Sequence, residues 1–594
     1  MPVRVPRRES AARLACLAWI SVALATAAAS GAEGPRGADW ASKDALVYVE
    51  VGRPGALLDR VLAPKFQAYL GSIPPYARFL KSDRLREAKA HVAFLSGLLE
   101  TTWDDGLRKL AGGGIVVAVE AEAGKAPWEF VAVTPSDPAF LARAHAKLVE
   151  IARADARAKG LPDPVNESVH RGVTLFSTTK DESHAIVRET LVIAKSADAV
   201  RTVVDRALGA PVASIATDPD WKARKARASA DTMAWGIARL DRLRALDPKA
   251  YTIPPTTDPG PILLFGPWIE ALRKAPWAAA EVAWSDAHLS AEVALPTPAG
   301  GYPEPLRRFL PPKGQGAPAL LKPRGTIASL GLWRDLSSIW EVRTDLFPPQ
   351  VVQGLAQLDT FAGQFFGGRD FGSGVLGALG KDWRLVVAEQ DYATIRPVPD
   401  LKLPAFALVV DLKPDDEDFA QRLKVAFQSF VGLANLGAAQ SKAPQLELIS
   451  EAVDGVAIAS TRFMQPKAAP DPKEPVHQRQ NYSPSAAQVG NHFILSSSLG
   501  LTKDLIPALR APAKAADPTL VVEADGPALA RVLDANRRRL ITQNMMEKGN
   551  DQAAASGEID TLLGFFRYIG RGTLTARDGD KAVEFRLDFA LGAR

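Results

Sequence analysis

The chain has 594 residues, with 45 glycines, 45 prolines and one cysteine, and at 47% hydrophobic and 23% charged it is too apolar for a disordered protein. Its formal charge of +5 is front-loaded: Arg4, Arg7, Arg8 and Arg13 face only Glu9 in the first 32 residues, leaving 68 basic and 66 acidic side chains in the rest. A nucleic-acid binder concentrates basic excess in its folded part, so no nucleic-acid partner is expected.

Residues 1–32 read as an export signal. The arginines precede a 15-residue apolar stretch, Leu14 to Ala28, and small residues ending Ser30-Gly31-Ala32; this is the order of a secretory signal, with cleavage expected between Ala32 and Glu33. The expected location is extracytoplasmic, periplasmic or secreted, in a bacterial style of signal. A retained membrane anchor is the alternative, but the stretch is shorter than the ~20 residues that span a bilayer. Arg7-Arg8 lacks the apolar pair and lysine of a twin-arginine signal, and Arg13 puts a charge where a lipoprotein signal needs an apolar residue before Cys16. Beyond Cys16 there is no cysteine, which removes disulfides, thiol nucleophiles, zinc fingers and iron–sulfur clusters. The sequons at Asn166 and Asn481 are read as chance matches.

Residues 296–324 hold eight prolines in 29 residues and are expected to be a semi-rigid linker, with one helical turn at 304–309. On either side the element order repeats. ALVYVEV (45–51) matches TIASLGL (326–332), and each precedes a long helical region, to about 111 and 380. LAGGGIVVAVEAE (110–122) matches LGKDWRLVVAEQD (379–391), and WEFVAV (128–133) matches AFALVV (405–410). A helix capped by Asp137 and Pro138 is matched by one that Asp415–Asp418 lead into. Then come GVTLFST (172–178) with GVAIAST (455–461), two strand–helix units, and a closing helix and hairpin in each half. The expected fold class is α+β: two tandem lobes, 33–295 and 325–594, each an antiparallel sheet backed by helices, with an internal duplication expected. Residues 465–488 have no counterpart and are expected to be an extended loop insertion projecting into solvent.

The DALVYVEV segment at 44–51, soon after the signal, and the strand–helix junction Lys195-Ser196-Ala197-Asp198 give the chain its one resemblance. It resembles a domain-of-unknown-function family of exported bacterial proteins over most of residues 44–594. That resemblance implies no activity and no catalytic residues.

The seven histidines (His91, His145, His170, His184, His288, His477, His492) show no metal-ligand spacing and no two lie within ten residues, so solvated or capping roles are expected. Gly372-Ser373-Gly374-Val375-Leu376-Gly377 matches the dinucleotide fingerprint but follows a helix and precedes a strand, the reverse of a cofactor site, and is read as a flexible break. Ser177-Thr178-Thr179-Lys180 matches a penicillin-recognising motif but ends a strand. Asp415–Asp418 is explained as a helix start rather than a calcium loop, Asp578-Gly579-Asp580 as a hairpin turn, and Trp103, Trp128, Trp235 and Trp284 as core. No catalytic, cofactor-binding or metal residues are therefore expected, and no cofactor. The expected function is a non-catalytic binding or structural envelope protein whose partner is a protein, a peptide or an apolar ligand. The alternative is a hydrolase whose site assembles from sequence-distant carboxylates.

Overall fold

Alternating apolar residues build the first sheet. In the computed structural model, β1 (Val47–Val51), β2 (Gly114–Glu120), β3 (Trp128–Thr134), β4 (Asn166–His170), β5 (Val173–Thr179), β6 (Glu182–Val187), β7 (Thr190–Ala194), β8 (Thr232–Ala238), β9 (Ala278–Trp284) and β10 (His288–Pro296) pair antiparallel in the order β4-β5-β6-β7-β3-β2-β1-β8-β9-β10. The structure describes residues 37–591 except 123–125, 180–181, 415, 417, 442, 465–475, 477 and 512–516. The expected signal and its Ala32–Glu33 cut lie outside the described residues. No described helix is long and apolar enough to cross a membrane.

The second sheet comprises β11 (Thr326–Trp333), β12 (Leu379–Ala388), β13 (Ala405–Leu412), β14 (Leu446–Val453), β15 (Val456–Phe463), β16 (Ser485–Val489), β17 (His492–Ser496), β18 (Leu520–Asp525), β19 (Arg571–Asp578) and β20 (Ala582–Ala590). They pair antiparallel as β14-β15-β16-β17-β13-β12-β11-β18-β19-β20, the order of the first sheet repeated. Both sheets are backed by helices, so the protein is α+β. The registers correspond closely: Val131 opposite Ile193 in one sheet takes the place of Leu408 opposite Leu495 in the other. One sequence alignment needs correcting. Pairing sets Val117 in the place of Leu385, not Val386, and a one-residue slip exchanges the two faces of a strand.

The chain forms two compact units, one running to Thr252 and including Pro276–Val293, the other made of Ile253–Ala275 and the chain from Ala294 onward. This differs from lobes cut at 295 and 325. The helix Pro259–Lys274 belongs to the second unit, and so does the proline-rich stretch, which is not a free linker. Its helical turn is Glu304–Arg307, Phe309 and Ala317 are fully buried and Tyr302 nearly so. Phe309 packs with Ile262, Ile339 and Phe347 of the same unit. Proline fixes the backbone there, and apolar side chains between the prolines pin it down.

In the first unit the helix Ala197–Ala207, capped by Ser196, lays Val200, Val203 and Val204 on Leu175, Ala185 and Val192. These three are consecutive cross-strand neighbours on β5, β6 and β7. Because side chains alternate along a strand, the adjacent row Phe176, His184 and Ile193 faces the other way. The helix Pro138–Ala158, whose first turn Asp137 caps by accepting from the Phe140 amide at 2.9 Å, brings His145 against that second row. In the second unit the helix Leu499–Arg510 covers Ile458, Ala487 and Ile494 in the same way. There the outward row is Ala459, Ala486 and Leu495, and Ala459 and Ala486 pack with Phe419 and Phe427 of the helix Phe419–Gln440.

The expected long helical regions are broken. Residues 54–111 form five helices that begin at Pro54, Pro64, Pro74, Asp83 and Trp103, three of them opening on proline where its missing donor costs nothing. The expected loop insertion is shorter than 465–488: β16 begins at Ser485, and Ala486 and Ala487 are fully buried.

Candidate functional site

Three polar clusters stand out, each assembled by the fold from residues far apart in sequence. The first joins His145 and His184, Nε2 to Nε2 at 3.0 Å. Phe176 supports both rings, stacked on His184 at 5.5 Å and edge-on to His145 at 4.6 Å. A cleft of about 380 Å³ opens beside them, lined by His145, Val149, Glu150, Arg153, Arg157 and Phe176. Arg153 is held by Asp163 at 3.0 Å and Glu167 at 2.6 Å. Burial pushes the His184 imidazole down to about 4, helped by the charge of His145, and burial also lowers His145. Both are therefore neutral near pH 7.

The second cluster lies on β12, β13 and β17. Asp411 Oδ1 accepts from His492 Nδ1 at 2.6 Å and from Arg384 Nη1 at 2.9 Å. Asp382 lies 3.8 Å from the same guanidinium. Burial, reinforced by the Asp411 charge, raises the Asp382 carboxyl. Burial also acts upward on Asp411, but the His492 hydrogen bond and the Arg384 charge outweigh it and leave that carboxyl below its usual range.

The third is interior. Asp578 accepts from Trp268 Nε1 at 3.0 Å and from Thr519 Oγ1 at 2.7 Å. Burial raises its carboxyl. The Arg334 guanidinium, 2% exposed, donates to the carbonyls of Leu264 and Phe309 and lies over the Trp268 and Phe309 rings at 6.0 and 5.2 Å. Burial pushes it down to about 10. Every donor here is turned inward, so this cluster reads as a structural tie.

The sequence expectations therefore divide. Four histidines in pairs correct the expectation of solvated or capping roles: His145 with His184, His170 with Asp205 at 2.8 Å, and His492 with Asp411. Asp578 is more than a turn residue, although Gly579 does close the hairpin by donating to Ala582 O. Gly372-Ser373-Gly374 is no flexible break. It forms a single wide turn, Phe371–Val375, in which a Cβ on Gly372 would sit 2.2 Å from Trp340 Cδ1. Ser177 shares a hydrogen bond with Ser183 at 2.8 Å inside the sheet, and Lys180 lies outside the described residues. Asp416 pairs with Arg369, while Asp415 and Glu417 lie outside the described residues. Trp235 is buried, but Trp103 is 42% exposed and is not core. Asn481, one of the two sequons, is 2% exposed and donates through Nδ2 to Leu401 O at 2.8 Å and Gln478 O at 2.7 Å, so its nitrogen is not open to glycosylation.

No protein-family model and no curated protein matches the chain, so the resemblance drawn at 44–51 and 195–198 names no family. Among solved structures, crystal forms I and III of TP0453 are similar at 8% identity over 47% of this chain and 84% and 85% of theirs, with TM-scores of 0.24 and 0.23. At those scores the likeness carries no argument.

Proposed function

We propose that the protein is an exported, non-catalytic binding or structural component of the cell envelope. Export rests on the composition of residues 1–32, and sequencing the N-terminus of the processed protein tests it; Glu33 is the expected first residue. The observation that carries binding is an uncharged helix pair in the second unit. From Val425 to Gln440 the helix Phe419–Gln440 has no charged residue, and the helix Pro349–Phe365 has only Asp359. Val425, Phe430, Leu433 and Leu436 of the first and Leu358 and Phe361 of the second are exposed, Leu436 to 64%. Phe361, Phe365 and Phe430 form a continuous ring cluster with centroids 4.5 to 5.7 Å apart. Soluble proteins rarely leave contiguous apolar faces uncovered unless something docks there.

The test is binding of an apolar fluorescent dye and recovery of partners from envelope extracts. Leu433→Glu with Leu436→Glu should abolish both and leave the melting temperature nearly unchanged, because these side chains stand on the exposed face outside the ring cluster. Unchanged dye binding would remove the helix pair from the proposal.

A specific observation favours the hydrolase alternative: Asp382 and Asp411 are displaced in opposite directions, as a general acid and base would be. A panel of peptide, ester, phosphate and glycoside substrates decides between the readings. An activity lost in Asp382→Asn and Asp411→Asn, with folding intact, would replace the binding reading. We also read the two units as copies of one ancestral lobe, which their common strand order supports.

A further inference from the structure

We infer that His145 and His184 form a binding site for a tetragonal divalent transition-metal ion, Cu(II) foremost, with water from the adjoining cleft completing its coordination. The inference is independent of the apolar helix pair. It starts from separation. Two imidazole nitrogens bound at about 2.0–2.1 Å to one ion lie roughly 3.3 Å apart in a tetrahedral site and about 2.9 Å apart as cis ligands of a square-planar one. His145 Nε2 and His184 Nε2 are 3.0 Å apart, close to the cis arrangement, and imidazole affinity among first-row divalent ions peaks at copper.

Preorganisation is the second argument. His145 stands on a helix of 21 residues and His184 on an interior strand of the sheet, and Phe176 packs on both rings. Neither ring has to be ordered at the moment of binding. Burial favours the neutral imidazole, the form that ligates. Without an ion one Nε2–H donates to the other Nε2; with both protons on Nδ1 instead, both Nε2 lone pairs are free to ligate.

Among the described residues no group of three histidines and carboxylates converges, so the protein supplies two ligands. Glu150 lines the neighbouring cleft and is paired with Lys147 at 2.8 Å, leaving water as the remaining donor. The fold itself does not demand this pair. In the second unit the places of Phe176 and His184 are held by Ala459 and Ala486, which pack under phenylalanines.

The full chain, stripped with a chelator, is titrated with CuCl2 by calorimetry and by electron paramagnetic resonance. One equivalent is expected to bind ahead of any other, with nitrogen coupling from two equatorial imidazoles. His145→Gln and His184→Gln should each weaken that equivalent by about tenfold or more, the loss expected for removing one of two protein ligands. His91→Gln, on an exposed helix position, should leave it unchanged. Should a histidine variant misfold, carbethoxylation of the wild-type chain read by peptide mass spectrometry replaces it: one equivalent of Cu(II) should protect His145 and His184 and leave His91 and His288 reactive. Absence of a one-equivalent complex, retention of it in both variants, or protection of other histidines first would each overturn the inference.

Discussion

At the scale of single residues, the Asn481 side chain is held from both its oxygen and its nitrogen. Besides donating to Leu401 and Gln478, its Oδ1 accepts from Tyr392 Oη at 2.6 Å and the Leu403 amide at 2.9 Å. Asn481→Ala leaves the Leu403 amide without its acceptor, while the Tyr392 hydroxyl keeps Leu403 O at 2.6 Å, at a cost of ~1–3 kcal/mol. A loss of unfolding free energy of that size, seen as a lower denaturant midpoint with unchanged slope, is the expected result. Asp411 gives a pH prediction. Its folded carboxyl lies below the ordinary aspartate value, so its contribution is fully present above that ordinary value and is lost as pH falls through the lower folded one. The stability gap between wild type and Asp411→Asn, measured by urea unfolding, should therefore be constant at neutral pH and close under strong acid. A gap that widens on acidification would mean the carboxylate is not held by His492 and Arg384.

At the scale of elements, Gly372 decides whether the turn Phe371–Val375 can close over Trp340. Gly372→Ala puts a methyl inside the indole's contact distance, and overpacking of that kind costs ~1–3 kcal/mol. A lowered melting temperature with native circular dichroism is expected, whereas a flexible break would tolerate the methyl. Element order was legible in the sequence because strand alternation and caps such as Asp137 and Ser196 are local signals. The candidate site was not. His145 and His184 are 39 residues apart, on elements with different periods, and only the packing of the helix Pro138–Ala158 on one face of the sheet makes them neighbours. The signal that was available is the β5–β6 hairpin: once Leu175 and Ala185 are assigned to the core row, Phe176 and His184 must share the opposite one. The proline-rich stretch misled for the reverse reason. Composition reports stiffness, while burial of Phe309 and Ala317 depends on partners elsewhere in the chain.

For the whole molecule, the second unit depends on segments that precede its own sheet. Arg334 finds its acceptors at Leu264 and Phe309, both outside 325–594. A fragment of residues 325–594 would lose those acceptors, the Trp268 and Phe309 rings that cover the guanidinium, and the Ile262 and Phe309 side chains that pack on Ile339 and Phe347. It is expected to show no cooperative melt, and a sharp transition in that fragment would show the earlier segments to be dispensable.

The interleaving of the units also has a consequence in time. Trp268 is made before β9 and β10, the strands that complete one side of the first sheet, yet its indole must wait for Asp578, 310 residues later. At about 5–20 residues per second, synthesis leaves that helix without its acceptor for roughly 15 to 60 s. When Trp268 emerges the first unit still lacks Pro276–Val293, and the helix Pro259–Lys274 waits while the rest of its own unit is made. An apolar helix left waiting in this way is where a holding chaperone would be expected to engage the growing chain.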